Sequence, residues 1–253
     1  FMRAAVLFET GTPLKVVDGI IVPPLKFGQV NIDIAFSGVC HSQLMEVRGK
    51  RGEDKYLPHL LGHEATGIVR EIGEGVTKVA VGDRVILGWI RGKGQNAAGA
   101  IYTWNNQVIN SGGITTFNET TIASENRLVK LPVGLPMDIG VLFGCAIPTG
   151  AGMIYNELDI KEGSSVIVIG VGGIGAISLM YAKSQKPKTL IAIDISAEKR
   201  NSALEMGADF ALDGNAPDIL EQIKALTDGH GADFCIDAAG KAKTIELAFS
   251  TVC

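Results

Sequence analysis

A glycine-rich segment in the second half of the chain has the residue types and spacing to bind a phosphate. The β-branched run Val166–Ile169 leads directly into Gly170-Val171-Gly172-Gly173-Ile174-Gly175. In a Gly-x-Gly-x-x-Gly turn, the first glycine permits the tight turn, the second lets the backbone approach a pyrophosphate, and the third lets the helix pack against the strand. The N-terminus of that helix offers unpaired N–H groups to the phosphates. The pattern predicts a dinucleotide-binding turn, the alternative being a helix–strand contact without a ligand.

An acidic residue at the end of the next apolar run indicates which dinucleotide binds. Asp194 follows the run Thr189–Ile193, about 20 residues after Gly175, which is the expected spacing for a ribose-binding acid. A carboxylate there accepts hydrogen bonds from the ribose 2′-OH and repels a 2′-phosphate, so Asp194 favours NAD over NADP. Lys199 and Arg200 follow closely, and they suit either a phosphate contact or the solvated face of a helix.

Three potential zinc ligands are spread over the first 145 residues. They are Cys40, His63 and Cys145, and Glu64 adjoins the histidine. Three protein ligands and one open position are how a catalytic zinc is held. The intervals are too wide for a zinc finger, so the spacing alone supports zinc only weakly. The alternatives are a small core residue for Cys145, a hydrogen-bonded core histidine for His63, and an ordinary surface acid for Glu64.

The composition limits the class of protein. The chain has 253 residues, of which 46% are hydrophobic and 20% charged, so it can form a full hydrophobic core. Its net charge of −4 and the absence of a basic cluster argue against nucleic acid as a partner. The longest apolar run, Val166–Met180, contains the glycine turn and is not expected to span a membrane. No signal peptide is evident, and four widely spaced cysteines are typical of a reducing compartment, so we expect a cytoplasmic protein.

The chain changes character near residues 133–150. Before this region, short strand-like runs bounded by turn residues predict a β domain: Met2–Phe8, Val30–Phe36, Gly67–Ile72, Arg84–Leu87 and Arg127–Leu131. After it, four strands near residues 166, 190, 210 and 234 alternate with helices, which predicts a parallel sheet. The predicted domains are 1–146 and 147–253. A full doubly wound dinucleotide fold has six strands, so we expect a C-terminally truncated second domain.

The ordered motifs of the chain resemble those of one known family. They are Val39-Cys40-His41-Ser42, Leu61-Gly62-His63-Glu64-Ala65-Thr66-Gly67, Val81-Gly82-Asp83-Arg84-Val85, Gly144-Cys145-x-x-x-Thr149-Gly150 and the turn Gly170–Gly175. Over essentially its whole length the chain resembles the zinc-dependent medium-chain alcohol dehydrogenases. The resemblance implies an α/β protein, with a GroES-like β domain followed by an incomplete, doubly wound, parallel Rossmann sheet.

The resemblance also implies roles for individual residues. It implies that Cys40, His63 and Cys145 hold one catalytic zinc, with Glu64 as a nearby or alternate ligand. Ser42 would relay the proton of the alcohol. Thr149 would contact the nicotinamide. The remaining implied contacts to NAD are Gly170, Gly172, Gly173, Ile174, Gly175, Asp194 and Lys199.

Three departures from the family pattern stand out. Many members hold a structural zinc with four closely spaced cysteines, whereas residues 89–113 contain none, so we expect no structural zinc and a Gly/Asn-rich insert instead. Gln43 stands where many members have an aspartate that orients the zinc-bound histidine, and it would raise the basicity of that ligand less. The proton relay of some members continues to a histidine a few residues beyond the serine, but here Leu44 and Met45 follow Gln43, and the alternatives for that role are His41 and water.

The predicted function is hydride transfer between an alcohol or polyol and NAD, giving an aldehyde or ketone. The expected partner is a small alcohol or carbonyl compound, and we expect neither nucleic acid nor a membrane as a partner. The resemblance implies a homodimer or homotetramer for the full-length protein. The alternatives are a zinc-free NAD(P)H quinone or enone reductase, and a non-catalytic dinucleotide-binding fragment. Aromatic residues in or near the insert fit either a substrate pocket or local packing: Trp89, Tyr102, Trp104 and Phe117.

Overall fold

A computed structural model describes residues 1–253 and divides into two compact units, Phe1–Cys145 and Ala146–Cys253. No single helix is long and apolar enough to cross a membrane. Only the bent pair Met137–Gly144 and Ala146–Glu157 together reaches the necessary length and composition.

The first unit is built from antiparallel strands. Its strands are β1 (Met2–Leu7), β2 (Lys15–Ile20), β3 (Gln29–Ser37), β4 (His59–Leu60), β5 (Ala65–Ile72), β6 (Arg84–Leu87), β7 (Tyr102–Trp104), β8 (Gln107–Ile109), β9 (Thr120–Ser124) and β10 (Leu128–Lys130). They form a sheet of five in the order β10-β6-β5-β3-β9, a sheet of three in the order β2-β1-β4, and the hairpin β7-β8. The predicted N-terminal β structure is therefore confirmed.

Alternating apolar side chains form the core of this unit. Val30 and Ile32 of β3 are fully buried with Val85 and Leu87 of β6, beneath the five-stranded sheet. A second cluster under the smaller sheet includes Tyr102. Burial of each large apolar side chain contributes roughly 1.5–3 kcal/mol, so these clusters hold the strands in their register.

Short helical segments of the first unit carry or adjoin the cysteines. Helix α1 spans His41–Val47 and begins directly after Cys40, whose backbone N–H receives the Gln43 side chain. Helix α2 spans Met137–Gly140, and a 3₁₀ turn, Val141–Gly144, leads into Cys145. The strand pattern did not predict α1, because seven residues are too few for a helical period to be evident.

The second unit is a parallel sheet with helices between its strands. The strands are β11 (Ser165–Ile169), β12 (Thr189–Asp194), β13 (Phe210–Asp213) and β14 (Phe234–Asp237), in the order β13-β12-β11-β14. The helices are α3 (Ala146–Glu157), α4 (Gly173–Ser184), α5 (Ala197–Glu205), α6 (Ile219–Leu226) and α7 (Ala242–Thr251). This is the order of the first four strands of a six-stranded doubly wound fold, and the predicted parallel four-stranded sheet is confirmed.

Candidate functional site

Three sulfur and nitrogen side chains converge in the first unit. The ligand atoms of Cys40, His63 and Cys145 all lie within 4.8 Å of one another. Cys40 precedes α1, His63 follows β4, and Cys145 ends the 3₁₀ turn. Gly62 adopts a φ of 90° immediately before His63, a conformation that favours glycine, and it turns the chain toward the cluster.

A glutamine side chain connects two members of this cluster. The side-chain oxygen of Gln43 accepts a hydrogen bond from the backbone N–H of Cys40 at 3.0 Å. The amide nitrogen of Gln43 contacts ring nitrogen Nδ1 of His63. The other ring nitrogen, Nε2, is buried without a hydrogen-bond partner. Burial, and secondarily the charge of Arg51, lower the pKa of His63, which favours the neutral imidazole that metals bind.

The donor set fits a zinc ion. Two thiol sulfurs and one imidazole nitrogen are ligands that zinc prefers, and three such ligands leave one coordination position open. Ser42, in the first turn of α1, also has a buried hydroxyl oxygen without a hydrogen-bond partner. Buried polar atoms are normally hydrogen-bonded, so these two unpartnered atoms, in residues 42 and 63, are typical of a site that receives a ligand.

Glu64 lies outside the group of three. Its side chain is buried, and its carboxyl group occupies the space where a β-carbon on Gly38 would lie. A β-carbon on Gly144 would likewise meet the Glu64 backbone and β-carbon. Glu64 therefore fills the space between two glycine backbones beside the cluster, and its role as an alternate ligand stays a prediction.

His63 lines a large cavity of the first unit. This cavity has a volume of about 510 Å³, and its wall also includes Gln43, Leu61, Ile101, Ile114 and Thr115. Residues of the insert contribute to the wall through Gly99, Ile101 and the loop Asn110–Gly112 rather than through its tryptophans. Tyr102 is fully buried, and Trp104 packs against Phe8 with its ring tilted by 60° and the centroids 5.7 Å apart, so these two aromatic residues serve local packing.

A second group of side chains in the same wall was not predicted from the sequence. The ligand atoms of Glu46, Asp54 and His59 lie within 4.8 Å of one another, and all three residues line the cavity. His59 belongs to β4, which pairs with β1, while Glu46 belongs to α1. The short sequence interval between Asp54 and His59 could have indicated part of this group. Only the fold brings Glu46 close to these two residues.

In the second unit, the glycine turn has the predicted form. Gly170 adopts a φ of 84°, and a β-carbon on Gly175 would lie 1.8 Å from the carbonyl oxygen of Gly170, so that position admits only glycine. Gly172 and Gly173, by contrast, have no atom within 4 Å of where a β-carbon would stand. The backbone is therefore open where α4 begins, which is where a phosphate would approach.

Asp194 supports this turn from the end of β12. One carboxylate oxygen accepts the backbone N–H of Val171 at 2.8 Å, and the other accepts that of Ser196 at 2.9 Å. Asp194 also lines a cavity of about 190 Å³ at the carboxyl end of the sheet, together with Gly170 and Ile195. Sequence reasoning missed other residues of its wall: Asn215, Lys241, Lys243 and Thr244.

Two residues predicted to contact the cofactor, Lys199 and Thr149, do not line this cavity. Lys199 is exposed on α5 and is not part of the wall of this cavity, whereas the guanidinium of Arg200 donates to the Asp194 carbonyl oxygen at 2.9 Å. Thr149 lies on the exposed side of α3. The next residue, Gly150, packs against α4, and the Ser178 hydroxyl donates to its carbonyl oxygen at 3.0 Å.

Comparisons with known proteins agree with this architecture. Residues 26–133 match the alcohol dehydrogenase GroES-like domain, and residues 173–252 match the zinc-binding dehydrogenase domain. The chain is 32% identical to an S-(hydroxymethyl)glutathione dehydrogenase from Synechocystis, covering 97% of this chain and 73% of that protein. It resembles an alcohol dehydrogenase zinc-binding domain protein from Burkholderia ambifaria, with a TM-score of 0.90, 25% identity and coverage of 99% and 74%. It also resembles the benzyl alcohol dehydrogenase of Acinetobacter calcoaceticus, with a TM-score of 0.87, 26% identity and the same coverage.

Proposed function

Because the chain belongs to the zinc-binding alcohol dehydrogenase family, we propose that it transfers hydride reversibly between an alcohol and NAD, using one zinc ion held by Cys40, His63 and Cys145. The observation that carries this proposal is the approach of these three ligand atoms to within 4.8 Å of one another. In this proposal, residues 1–146 are the catalytic domain and residues 147–253 are the NAD-binding domain.

The chain's own residues prepare the site for the alcohol. When bound, the zinc supplies a Lewis acid that lowers the pKa of the alcohol hydroxyl. Gln43 contacts Nδ1 and fixes the ring of His63 so that Nε2, which must lose its proton to bind zinc, points away from the amide. Ser42 accepts the alcohol proton at its hydroxyl oxygen, which has no hydrogen-bond partner within the protein. Leu44 and Met45 carry no titratable group, so Ser42 passes its own proton on to His41 or to water.

The second domain binds and orients NAD, which supplies the hydride chemistry. The backbone at Gly172 and Gly173 receives the pyrophosphate, and the carboxylate of Asp194 receives the ribose 2′-OH. The negative charge of Asp194 disfavours the 2′-phosphate of NADP, so NAD is the preferred cofactor. Thr149 contacts the nicotinamide and Lys199 contributes at the ribose from the rim of the site.

The partner is a small alcohol or carbonyl compound, and we extend the proposal to a cytoplasmic location and, for the full-length protein, a homodimer or homotetramer. The wide spacing of the four cysteines supports the location, and the family relationship supports the assembly.

Turnover with each cofactor tests the proposal. We expect alcohol-dependent formation of NADH, a lower kcat/KM with NADP, and loss of turnover in Cys40→Ser and His63→Ala while NADH binding, followed by its fluorescence, persists. A variant of either ligand that keeps the wild-type rate would exclude the zinc mechanism.

A further inference from the structure

Part of the wall of the cavity beside His63 comes from a segment without regular secondary structure. Residues 88–101 belong to no helix or strand, yet Gly99 and Ile101, near the end of this segment, line the cavity. Such a segment keeps one conformation only if neighbouring elements satisfy its backbone hydrogen-bonding groups. The position of this part of the wall therefore depends on the residues that anchor the segment.

The short 3₁₀ helix Glu125–Arg127 runs along this segment and bonds to it repeatedly. The backbone carbonyl oxygen of Asn126 accepts the N–H of Gly92 at 2.7 Å. The backbone N–H of Asn126 donates to the carbonyl oxygen of Gln95 at 3.1 Å. These bonds give residues 92–95 a fixed partner, in the way that a neighbouring strand would.

Glu125 adds a buried carboxylate to this contact. The residue is fully buried, and one carboxylate oxygen accepts the backbone N–H of Gln95 at 2.6 Å. The other oxygen accepts the backbone N–H groups of Thr77 and Lys78, which lie in the loop between β5 and β6. Burial by itself would raise the pKa of Glu125, but the hydrogen bonds from these N–H groups and the charge of Lys78 lower it, so the side chain is ionised.

Gln29 anchors the same segment closer to the cavity. Its amide nitrogen donates to the carbonyl oxygen of Ala98 at 2.9 Å, and its amide oxygen accepts the backbone N–H of Lys26 at 2.8 Å. The next residue, Gly99, lies so close to the backbone of Gly112 that a β-carbon would not fit between them. Both glycines line the cavity, so a displacement of the segment at residue 95 or 98 would reach the wall.

We propose that Glu125 is a positioning residue for the substrate: its carboxylate fixes the segment that carries Gly99 and Ile101, and so sets how closely the cavity fits the carbon skeleton of the alcohol. This inference rests on the proposed function, because an alcohol lies in this cavity only if His63 holds the zinc at its edge. Ile101 is apolar and exposed, and it contacts the ring of an aromatic alcohol. Ethanol has only two carbon atoms and depends least on the wall.

Steady-state kinetics of the intact chain with benzyl alcohol and with ethanol, at saturating NAD, tests the proposal. Glu125→Gln keeps the shape of the side chain but replaces one acceptor oxygen by an N–H donor that faces backbone N–H groups. We expect the KM of benzyl alcohol to rise roughly tenfold, with little change in kcat or in the KM of ethanol. A purely structural role would not separate the two alcohols. Glu71→Gln, an exposed carboxylate of β5, is the matched control and should keep both KM values.

A second variant and a second measurement make the result independent of how well Glu125→Gln folds. Gln29→Glu keeps the acceptor for the Lys26 N–H but loses the donor to Ala98, and we expect the same selective rise in KM. Hydrogen exchange, followed by mass spectrometry, should be faster in both variants for peptides that cover residues 88–101. It should be unchanged for peptides that cover β11 in the second unit.

A KM for benzyl alcohol that the folded variants leave unchanged, or an equal rise for both alcohols, would overturn the proposal. Unchanged hydrogen exchange over residues 88–101 would also overturn it, because Glu125 would then not anchor the segment. If neither alcohol reduces NAD, the proposed function fails, and calorimetric binding of benzyl alcohol decides the inference by itself. Weaker binding in the variants supports it, and binding equal to that of the wild type refutes it.

Discussion

Gln43 contacts His63 at ring nitrogen Nδ1 and leaves Nε2 as the buried ring nitrogen without a hydrogen-bond partner. The same amide accepts the backbone N–H of Cys40, so one side chain joins two of the three converging residues. Because the amide oxygen is engaged by Cys40, the amide nitrogen faces Nδ1. An Nδ1 that accepts a hydrogen bond places the proton of a neutral imidazole on Nε2, the atom that a metal needs unprotonated.

The first prediction concerns Gln43→Glu, which has the same length. A carboxylate accepts both from the Cys40 N–H and from an Nδ1–H of His63, so Nε2 becomes the unprotonated nitrogen. We expect zinc affinity, measured by competition with a chelator, to rise about tenfold. Gln107→Glu, at an exposed position of β8, is the control and should not change it. An unchanged or weaker affinity in Gln43→Glu would show that the amide does not restrict the histidine.

The second prediction separates the fold of the glycine turn from its function. Gly172→Ala has room for its β-carbon, so the thermal unfolding midpoint should stay close to that of the wild type. The added methyl group blocks the approach of a pyrophosphate, so we expect NADH affinity, measured by fluorescence titration, to fall at least about tenfold. Gly152→Ala, in α3, where the new β-carbon makes only an ordinary contact, should retain both properties. Full NADH affinity in Gly172→Ala would place the pyrophosphate elsewhere.

The third prediction concerns the choice of cofactor. Asp194→Ala removes the charge that repels a 2′-phosphate and also removes the acceptor of the Val171 and Ser196 N–H groups. We expect NADH to bind more weakly, and the ratio of NADPH to NADH affinity to rise by roughly tenfold or more. Asp159→Asn, an exposed carboxylate in the same unit, serves as the control. A ratio that does not rise would remove Asp194 from cofactor selection.

The fourth prediction concerns thiol reactivity. Burial raises the pKa of the Cys235 thiol to about 11, so this residue is almost entirely protonated at pH 8. Because the thiolate is the reacting species, alkylation of Cys235 by iodoacetamide should be slow at pH 8 and accelerate as the pH rises toward 11. Mass spectrometry of the alkylated peptides measures this rate, with exposed Cys253 as the internal reference. Fast, pH-independent alkylation of Cys235 would contradict the burial.

The sequence was most informative where function depends on local spacing. The strand, turn and helix around Gly170–Gly175 are adjacent in the chain, and so the pattern predicted their arrangement and the position of Asp194 at the end of the next strand. Lys241 and Lys243 were missed, although they follow β14, whose carboxyl end meets the same edge of the sheet as that of β11. A rule that follows every strand end would have found them.

Long-range contacts account for the rest. The approach of Glu46, Asp54 and His59 depends on the pairing of β4 with β1 and on the loop between α1 and β4. A short-range sequence pattern cannot predict such contacts. The aromatic residues of the insert are a second case, because the full burial of Tyr102 decided between the substrate pocket and the local packing that the sequence had left open.

The most direct test of the central claim is the number of zinc atoms per chain after gel filtration, measured by elemental analysis for the wild type and for Cys145→Ser. We expect about one zinc in the wild type and essentially none in the variant, with Cys235→Ser as the control that keeps its zinc. A chelator should lower the unfolding temperature of the wild type but not that of Cys145→Ser, because bound metal stabilises the folded state. A zinc content that is near zero in the wild type, or unchanged in Cys145→Ser, would show that Cys40, His63 and Cys145 do not hold a zinc ion.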